Sequence, residues 1–367
     1  MIYSDKLTIN LSMFSEKYTG MGIYAMHCRK ILKESFWCDE ILADGMNLET
    51  LESSSGNVIR SPRYITTGYS STAALYRLFY QKYLATKDLG IVYTPTHHGL
   101  IGYKKQIVTI HDLISLRYPK QHFAQYLYFK KILPLIIKDC RGIITVSKTT
   151  KLDVCKEYKL SDDFVSVVPN ALENNEYIYA DKNLDDRGYL LVIGASYPHK
   201  NIHELLKMHF LWRNRWNLKI VSSNGSYKTR LKEIINENGL NDSVTIEGYV
   251  SNERIDDLYM HCSALVYPSK WEGFGIPPLE AMRYRKPIIL SQIDIFKEVF
   301  EDSAIYVDIG NKESWKNAFD TLKDDKMIDE YKAKYLKILK KYSWNSNKEI
   351  LAEYLCGVFP ELKELKR

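Results

Sequence analysis

Short apolar runs alternate with longer amphipathic segments along the whole chain, and this alternation limits the fold more than any other feature. Such runs are typical of buried strands in a parallel sheet, and the amphipathic segments are typical of the helices that cover its two faces. The first series of predicted strands comprises Lys6–Leu11, Gly90–Tyr93, Gln106–Ile110 and Gly142–Val146. The second series comprises Tyr189–Ile193, Leu218–Ser222, Val244–Ile246, Ala264–Tyr267 and Pro287–Leu290. The sequence therefore predicts a doubly wound α/β architecture.

A polar segment without clear periodicity, residues 173–187, separates the two series of strands. A chain of 367 residues is long enough for two domains of ordinary size. Because such a segment is typical of an inter-domain linker, we predict a first domain at 1–172 and a second at 188–343. The residues from about 344 to 367 have the pattern of an amphipathic helix.

Composition indicates a soluble globular protein, with 45% hydrophobic and 26% charged residues. No stretch approaches the ~18–20 apolar residues that a membrane-spanning helix needs. The N-terminus lacks the basic and apolar regions of a secretory signal. The six cysteines show neither a C-x-x-C pair nor a spacing typical of metal ligands. We therefore expect reduced thiols in a cytoplasmic protein.

Positive charge is concentrated in the first half of the chain. The net charge is +6, and the stretch from Lys104 to Lys159 holds twelve Lys or Arg against four Asp or Glu. Within it, Phe123–Lys138 mixes aromatic and aliphatic residues with lysines, as a surface that meets anionic phospholipid or a lipid-pyrophosphate acceptor would. A core helix with solvated lysines explains the segment slightly better. Basicity is moderate and no nucleic-acid-binding motif is present, so we expect no nucleic-acid partner.

The most informative motif lies at residues 267–299, where Glu272 and Glu280 stand eight positions apart. A glycine-rich loop follows a predicted strand at Ala264–Tyr267 and precedes a short predicted helix at Pro278–Arg285. Glycines at such a turn let backbone N–H groups approach a bound hydroxyl or phosphate. Carboxylates that accept hydrogen bonds from hydroxyls suit a sugar or a ribose. Two glutamates at this spacing alone carry little information, because most charged residues on helices only contact water.

The whole string, YPSKWEGFGIPPLEAMRYRKPII, resembles the signature of glycosyltransferase family 4, whose members retain anomeric configuration and have the GT-B fold. The resemblance implies two Rossmann-like parallel-sheet domains facing a central cleft, the first binding the acceptor and the second the nucleotide sugar. It implies that the helix at about 344–367 crosses back onto the first domain. By the same resemblance Glu272 holds the donor sugar with the backbone of Phe274, Gly275 and Ile276, and Glu280 accepts hydrogen bonds from the ribose.

Three further segments fit the family pattern. Gly20 and Gly22 follow the first strand, where the family has a glycine loop near the diphosphate. His111 ends a strand, and the resemblance places it beside a hydroxyl of the donor sugar; Asp112 contacts the acceptor or positions His111. His97 and His98 end the preceding strand and are weaker candidates for acceptor contacts.

The turn that opens the second domain, Gly194–Asn201, matches the family turn that supplies a lysine to the diphosphate, which makes Lys200 the candidate. Many members carry an arginine where this chain has Ala195, so one expected phosphate-binding cation is unassigned. Tyr249 and Val250 fall in a loop expected near the nucleobase, although a plain turn explains them equally well. Arg285 stands where relatives have a small residue or glycine, and nothing in the sequence explains it.

These features predict a retaining hexosyltransferase of surface polysaccharide biosynthesis that is cytoplasmic and in peripheral contact with the membrane. GDP-mannose is the favoured donor, with a UDP-hexose or dTDP-rhamnose as alternatives, and the acceptor is a glycan or a lipid-linked oligosaccharide. We expect no metal and no cofactor. A non-catalytic sugar- or lipid-binding module and another GT-B enzyme, such as an epimerase or a phosphorylase, are the competing interpretations. The sequence specifies neither linkage nor oligomeric state.

Overall fold

The computed structural model describes residues 6–14, 20–44, 56–65, 72–173, 188–221 and 225–367. The chain divides into two compact units: Met1–Ala171 together with Trp344–Arg367, and Leu172–Ser343. Of the predicted linker at 173–187, only Glu173 lies within the described residues. Each unit contains one parallel sheet with helices packed on it.

The first unit is built on a seven-stranded parallel sheet with the order β3-β2-β1-β4-β5-β6-β7. Its strands are β1 Leu7–Leu11, β2 Cys38–Ala43, β3 Val58–Ser61, β4 Ile91–Thr94, β5 Gln106–Ile110, β6 Gly142–Thr145 and β7 Val165–Val167. Every residue of β1, β4, β5 and β6 is buried, as expected of parallel strands covered on both faces. The strand order changes direction between β1 and β4, which makes this pair the topological switch point of the first sheet.

The helices of the first unit follow its strands along the chain. They are α1 Gly20–Ser35, α2 Ala73–Leu84, α3 Ile114–Arg117, α4 Phe123–Leu127, α5 Leu133–Asp139 and α6 Lys148–Tyr158. A π-helical turn at Tyr128–Ile132 joins α4 to α5, and 3₁₀ turns lie at Arg63–Ile65 and Asp162–Phe164. The segment predicted as one helix at Phe123–Lys138 is therefore helical throughout. It buries Phe129, Leu133 and Ile136 in the core while Phe123 stays exposed.

The second unit repeats the architecture with a six-stranded parallel sheet of order β10-β9-β8-β11-β12-β13. Its strands are β8 Tyr189–Ile193, β9 Asn217–Val221, β10 Val244–Ile246, β11 Ala264–Tyr267, β12 Ile288–Ser291 and β13 Ile305–Val307. Its helices are α7 Ile202–Lys207, α8 Gly225–Glu237, α9 Asn252–His261, α10 Ile276–Arg283, α11 Asp294–Phe300, α12 Lys312–Thr321, α13 Asp325–Ala333 and α14 Tyr335–Lys341, with 3₁₀ turns at Pro198–Lys200 and His209–Leu211. Here the switch point lies between β8 and β11.

The last helix, α15 at Trp344–Val358, belongs to the first unit although it follows the second in the chain. The Trp344 ring stacks on His27 at 4.6 Å and meets the edge of Tyr24 at 5.3 Å. The Asn347 side-chain amide donates to the Pro169 carbonyl at 2.6 Å. A 3₁₀ turn at Pro360–Leu365 follows α15.

The predicted fold class of two Rossmann-like parallel-sheet domains is confirmed. The sequence interpretation missed strands β2, β3, β7 and β13. Strand β2 escaped because Glu40 lies in its middle and breaks the apolar run, yet the carboxylate is buried against Arg29, whose Nη2 donates to it at 3.0 Å. The helix predicted at Pro278–Arg285 instead begins at Ile276, because Gly275 forms its N-cap and prolines fit the first helical turn.

Candidate active site

The turn after β8 and the loop after β11 lie at the same edge of the second sheet. The two strands are hydrogen-bonded neighbours, with Ala264 opposite Leu190 and Leu265 opposite Leu191. Ligands of open parallel sheets bind beyond the carboxyl ends of the strands at the switch point. Lys200, from the first connection, and Glu272, from the second, therefore converge on the position where this fold binds ligands.

Lys200 and Glu272 form a direct ion pair at this edge. The Lys200 ammonium donates to Glu272 Oε1 at 2.5 Å and to the Tyr267 hydroxyl at 3.0 Å. The same carboxylate oxygen accepts from the Ser269 hydroxyl at 2.7 Å. Both charged side chains are largely withdrawn from solvent, with relative exposures of 15% and 10%. Removal of either member of such a buried ion pair is destabilising, because the remaining charge then has neither its partner nor water around it.

Electrostatics keep Lys200 protonated. Burial alone lowers the pKa of an ammonium, but the adjacent Glu272 carboxylate and the Tyr267 hydroxyl outweigh that effect and raise the pKa of Lys200 above its ordinary value. Burial raises the pKa of Tyr267 as well, with the Glu272 charge acting in the same direction. The site thus presents one fixed cation, one neutral phenol and one carboxylate within hydrogen-bonding distance of each other.

Hydrogen bonds between backbone and side chains hold the two connections together. The Lys270 N–H donates to the His199 carbonyl at 2.8 Å. The Ser291 hydroxyl, at the end of β12, donates to the Ser269 carbonyl. These bonds connect the loop after β11 to the turn that follows β8 and to the end of β12. They therefore restrict the movement of the residues that form the ion pair.

Glu280 lies on α10, eight positions after Glu272 in the chain. Its Oε2 accepts from the Tyr259 hydroxyl at 2.7 Å, and the Tyr259 ring stacks on Tyr284 at 5.2 Å. Burial raises the pKa of Glu280. Within the described residues its other oxygen, Oε1, accepts no hydrogen bond, so one carboxylate oxygen remains for a ligand hydroxyl.

The predicted sugar-binding residues Phe274, Gly275 and Ile276 precede and begin α10. The Phe274 side chain is buried edge-on against Tyr342 at 5.2 Å, so its ring faces the core. Gly275 has a φ of +119°, and a Cβ there would lie 3.0 Å from the Phe296 ring. Ile276 brings an N–H to the first turn, whereas Pro277 and Pro278 bring none. Few helical amides are therefore left to contact an anion here.

Tyr249 and Val250 follow β10, two strands away from β8. Tyr249 is 85% exposed and Val250 is half-buried. In the described part of the chain the Tyr249 side chain makes no hydrogen bond with Lys200, Glu272 or Glu280. Among the described residues, the Tyr249 ring is therefore exposed beside the sheet edge and is not hydrogen-bonded to the ion pair.

In the first unit, His111 follows β5 and is buried in a neutral state. Burial lowers its pKa to about 4, so the ring carries no charge at neutral pH. Its Nε2 lies 3.0 Å from the Pro95 carbonyl, and since a carbonyl only accepts, Nε2 must hold the proton. The Tyr24 ring packs edge-on at 4.8 Å. Nδ1 is consequently the hydrogen-bond acceptor of this imidazole.

The remaining predicted residues of the first unit have distinct surroundings. Asp112 Oδ1 accepts from the Ile114 N–H at 2.9 Å and so supports the start of α3. Gly20 begins α1 and is exposed, and a Cβ added there would meet no atom within 4 Å. Gly22 is buried in the same helix turn. Residues 15–19, which precede this turn, lie outside the described residues.

His97 and His98 lie after β4, with ring centroids 4.1 Å apart. Burial lowers the pKa of His97 to about 3 and that of His98 well below its ordinary value. Both rings are therefore neutral. In the ring contacts of the described residues, His97 packs against Tyr128 and Phe129, and His98 packs against Tyr128.

Sequence reasoning missed the roles of Tyr267, Ser269 and Tyr259. The first two lie in the same string as Glu272, so the signal was present, but only the contacts show that they bind the ion pair. Tyr259 lies on α9, and nothing in the sequence links it to Glu280. Across the described ranges, no group of three or more His, Cys, Asp or Glu side chains is placed to hold a metal ion.

Sequence comparisons place the chain among glycosyltransferases. The family described as Glycosyl transferases group 1 matches residues 175–342. The chain is 31% identical to the O-antigen chain mannosyltransferase RfbU of Salmonella typhimurium, over 95% of this chain and 99% of that protein. It is 25% identical to O-antigen chain mannosyltransferase B of Escherichia coli, over 66% of this chain and 68% of that protein.

Solved structures share the fold of this chain. HepE of Anabaena, solved in complex with UDP and glucose, superposes with a TM-score of 0.75 over 96% of this chain and all of that chain, at 17% identity. WaaG, a glycosyltransferase involved in lipopolysaccharide biosynthesis, superposes with a TM-score of 0.68 over 96% of this chain and 99% of that chain, at 12% identity. At these identities the likeness establishes the GT-B fold alone.

Proposed function

The chain belongs to glycosyltransferase family 4, the group 1 glycosyl transferases, and from this premise we propose that it transfers mannose from GDP-mannose to a glycan or a lipid-linked oligosaccharide. Two relatives named as O-antigen chain mannosyltransferases support this donor and a role in surface polysaccharide biosynthesis. Family membership disfavours the competing interpretations of a non-catalytic module, an epimerase or a phosphorylase. A UDP-hexose is the second candidate, and dTDP-rhamnose is the third.

The contact between Lys200 and Glu272 carries the proposal. Cleavage of the anomeric bond leaves negative charge on the departing diphosphate, and a fixed cation at that position lowers the energy of the transition state. The raised pKa of Lys200 keeps the ammonium charged throughout the physiological range. When donor binds, we propose that Lys200 turns to the diphosphate while Glu272 accepts hydrogen bonds from the sugar hydroxyls.

Glu280 is proposed to bind the ribose through Oε1, while Tyr259 holds Oε2. The backbone of Phe274, Gly275 and Ile276 lines the donor sugar. Tyr249 and Val250 provide an exposed ring and backbone for the nucleobase. These contacts suit a nucleoside diphosphate sugar, because Lys200 supplies a cation for the diphosphate, and Glu272 and Glu280 supply carboxylates for the donor sugar and the ribose.

In the first unit, His111 is proposed to accept a hydrogen bond from a donor hydroxyl at Nδ1. The Pro95 carbonyl fixes this tautomer, and a neutral ring orients a sugar without imposing charge. Gly20 and Gly22 are proposed to bring their backbone close to the diphosphate. A Cβ at Gly20 would meet no atom within 4 Å, so the described surroundings give no structural reason for a glycine and a ligand contact would supply one. Asp112 is proposed to contact the acceptor or to position His111.

Ala195 occupies the place of the arginine found in many family members. It is fully buried in the core cluster that includes Ile202 and Leu205. A side chain at this position therefore meets the core, and we propose that Lys200 is the principal phosphate-binding cation in this chain.

We propose that the reaction retains anomeric configuration by front-face attack, in which a phosphate oxygen takes the acceptor proton. This scheme needs no metal ion. Turnover with GDP-mannose should therefore persist in EDTA, and the product should carry an α-linkage when examined by NMR. Loss of turnover on chelation that Mg²⁺ restores would contradict the scheme.

A donor panel tests the proposal directly. Release of GDP, UDP and dTDP would be measured with GDP-mannose, UDP-glucose, UDP-galactose and dTDP-rhamnose, with a lipid-linked oligosaccharide fraction as acceptor. GDP release from GDP-mannose should exceed the others by at least tenfold, and Glu272→Gln should abolish it. Preference for a UDP-sugar would replace the donor, and the absence of release from every donor would overturn the proposed activity.

A further inference from the structure

One face of α2 exposes large apolar and aromatic side chains. Leu75, Tyr76, Phe79 and Tyr83 are 58%, 50%, 66% and 52% exposed. At 100° per residue these four positions fall within an arc of about 100° on the helix. The opposite side of α2 buries Leu84 in the first unit. The buried residues of α2 are Ala73, Gln81 and Leu84, so the face that carries the exposed aromatic side chains is not the one that packs on its own unit.

The composition of this exposed face is that of an interfacial surface. Its tyrosines combine an apolar ring with a polar tip, which suits the boundary between water and hydrocarbon. Tyr64 extends the face by packing edge-on against Tyr76 at 5.3 Å, and the Lys87 ammonium lies 4.5 Å above the Tyr83 ring. Exposed apolar patches that are larger than single scattered side chains mark sites of interaction with proteins, membranes or ligands in many proteins.

A cavity of about 600 Å³ lies behind this face, between α2 and the helical segment α4–α5. Its apolar wall includes Met21, Leu75, Leu78, Leu127 and Ile132. Leu75 belongs both to the cavity wall and to the exposed face, so the two surfaces are continuous. The volume falls in the range of cavities that enclose organic ligands.

Among the described residues that line the cavity, Arg77 and Lys131 carry positive charge and none carries a carboxylate. The Arg77 Nε donates to the Ile65 carbonyl at 3.2 Å. No salt bridge of Arg77 or Lys131 is present among the described residues, and burial lowers the pKa of Arg77. His97 and His98 line the same cavity as neutral rings and add no charge. A partly buried guanidinium in this position calls for an anionic group on the ligand.

We propose that the cavity admits the hydrocarbon chain of a membrane lipid phosphate, with the phosphate on Arg77 and Lys131, while the exposed face of α2 rests in the membrane interface. The proposal rests on the proposed function in that such a lipid would carry the glycan acceptor. An apolar chamber continuous with an aromatic face, with cations at its wall, matches a lipid with an anionic head. A protein partner would cover the face but leave the cavity and its cations unused.

Vesicle flotation of the full chain tests this assignment. The vesicles are phosphatidylcholine alone, phosphatidylcholine with polyprenyl phosphate, and phosphatidylcholine with phosphatidylglycerol at equal surface charge. The chain should bind the polyprenyl phosphate vesicles at least tenfold more tightly than the phosphatidylglycerol vesicles. Equal binding to both would mean that surface charge alone is recognised and would overturn the cavity assignment, as would displacement by millimolar inorganic phosphate.

Variants separate the face from the cavity. Phe79→Ser should weaken binding to all three vesicles, whereas Arg77→Gln and Ala74→Trp, which obstructs the cavity wall, should remove only the preference for polyprenyl phosphate. Leu152→Ser is a matched control, since Leu152 is 67% exposed on α6, and Arg117→Gln is the control for charge. Weakening by the controls equal to that by Phe79→Ser would overturn the role of α2.

Binding of GDP to the full chain, measured by calorimetry without vesicles, keeps this inference separate from the proposed donor. If the chain binds GDP but not polyprenyl phosphate vesicles, the lipid assignment is wrong and the donor assignment stands. If it binds the vesicles but not GDP, the donor assignment is wrong and the lipid assignment stands. Lys200→Ala should leave vesicle flotation unchanged, because Lys200 lies in the other unit.

Discussion

Lys200 and Glu272, 72 positions apart in the chain, meet at 2.5 Å beyond the carboxyl ends of two adjacent strands. The pair is buried and carries a second hydrogen bond on each side, from Lys200 to Tyr267 and from Ser269 to Glu272. A well-packed pair of apolar side chains at these two positions would stabilise the fold at least as well as the ion pair does. We therefore interpret the contact between Lys200 and Glu272 as the ligand-free state of a binding site.

Replacing Lys200 should damage both activity and stability. Lys200→Ala should lower kcat by about 10²- to 10³-fold, since the leaving diphosphate loses its fixed cation. It should also lower the free energy of unfolding by about 3 kcal/mol, because Glu272 is left buried without its partner. Steady-state kinetics and urea unfolding measure the two effects. Lys270→Ala, at an exposed neighbour, is the control, and a Lys200→Ala variant with normal kcat would remove Lys200 from the mechanism.

Glu280 should act on nucleotide affinity. Glu280→Gln should raise KM for the donor by about tenfold, the cost of roughly one charge-assisted hydrogen bond. Tyr259→Phe should raise KM less, because it removes only the bond that orients the carboxylate. Calorimetric titration with the nucleoside diphosphate checks both. A Glu280→Gln variant with unchanged affinity and a lowered kcat would show that the carboxylate contacts the reacting sugar instead.

His111 should make the first unit sensitive to acid. Its pKa is lowered to about 4 by burial, so between that value and about 6.5 the unfolded chain binds a proton that the folded chain does not. Stability is then complete above about pH 6.5 and falls as pH drops toward 4, by on the order of 3 kcal/mol. Denaturant unfolding at pH 7, 5.5 and 4 should show a smaller loss for His111→Gln than for the unmodified chain. Parallel curves for the two proteins would show that His111 titrates normally.

Gly275 and Gly20 should respond differently to alanine. Gly275→Ala should lower the free energy of unfolding by about 1–3 kcal/mol, since its φ of +119° is strained for alanine. The added Cβ would also press on the Phe296 ring. Gly20→Ala should leave stability within about 0.5 kcal/mol but raise donor KM if the diphosphate approaches this backbone. Thermal unfolding and donor kinetics distinguish the two, and a stable, fully active Gly275→Ala would contradict the strain argument.

The order of apolar runs and the family string by themselves determined much of this protein. The strands Gln106–Ile110, Tyr189–Ile193 and Ala264–Tyr267 have the bounds that the sequence predicts. Alternation of short strands with helices leaves few arrangements for a chain, which is why the fold class was predictable. The loops that carry Lys200, Glu272 and Glu280 were recognisable in the sequence because they contain glycines and prolines at fixed positions.

Tertiary structure decided everything that depends on residues distant in the chain. Only the packed sheet shows that Tyr267 and Ser269 hold the ion pair, that Tyr259 holds Glu280, and that the Pro95 carbonyl sets the His111 tautomer. It also showed a buried Glu40 within a strand and an exposed aromatic face on α2, both of which depart from simple patterning. The physical reason is the same in each case. Local periodicity reports which side of an element is apolar, whereas hydrogen-bond partners and burial are set by neighbours that the chain brings together only on folding.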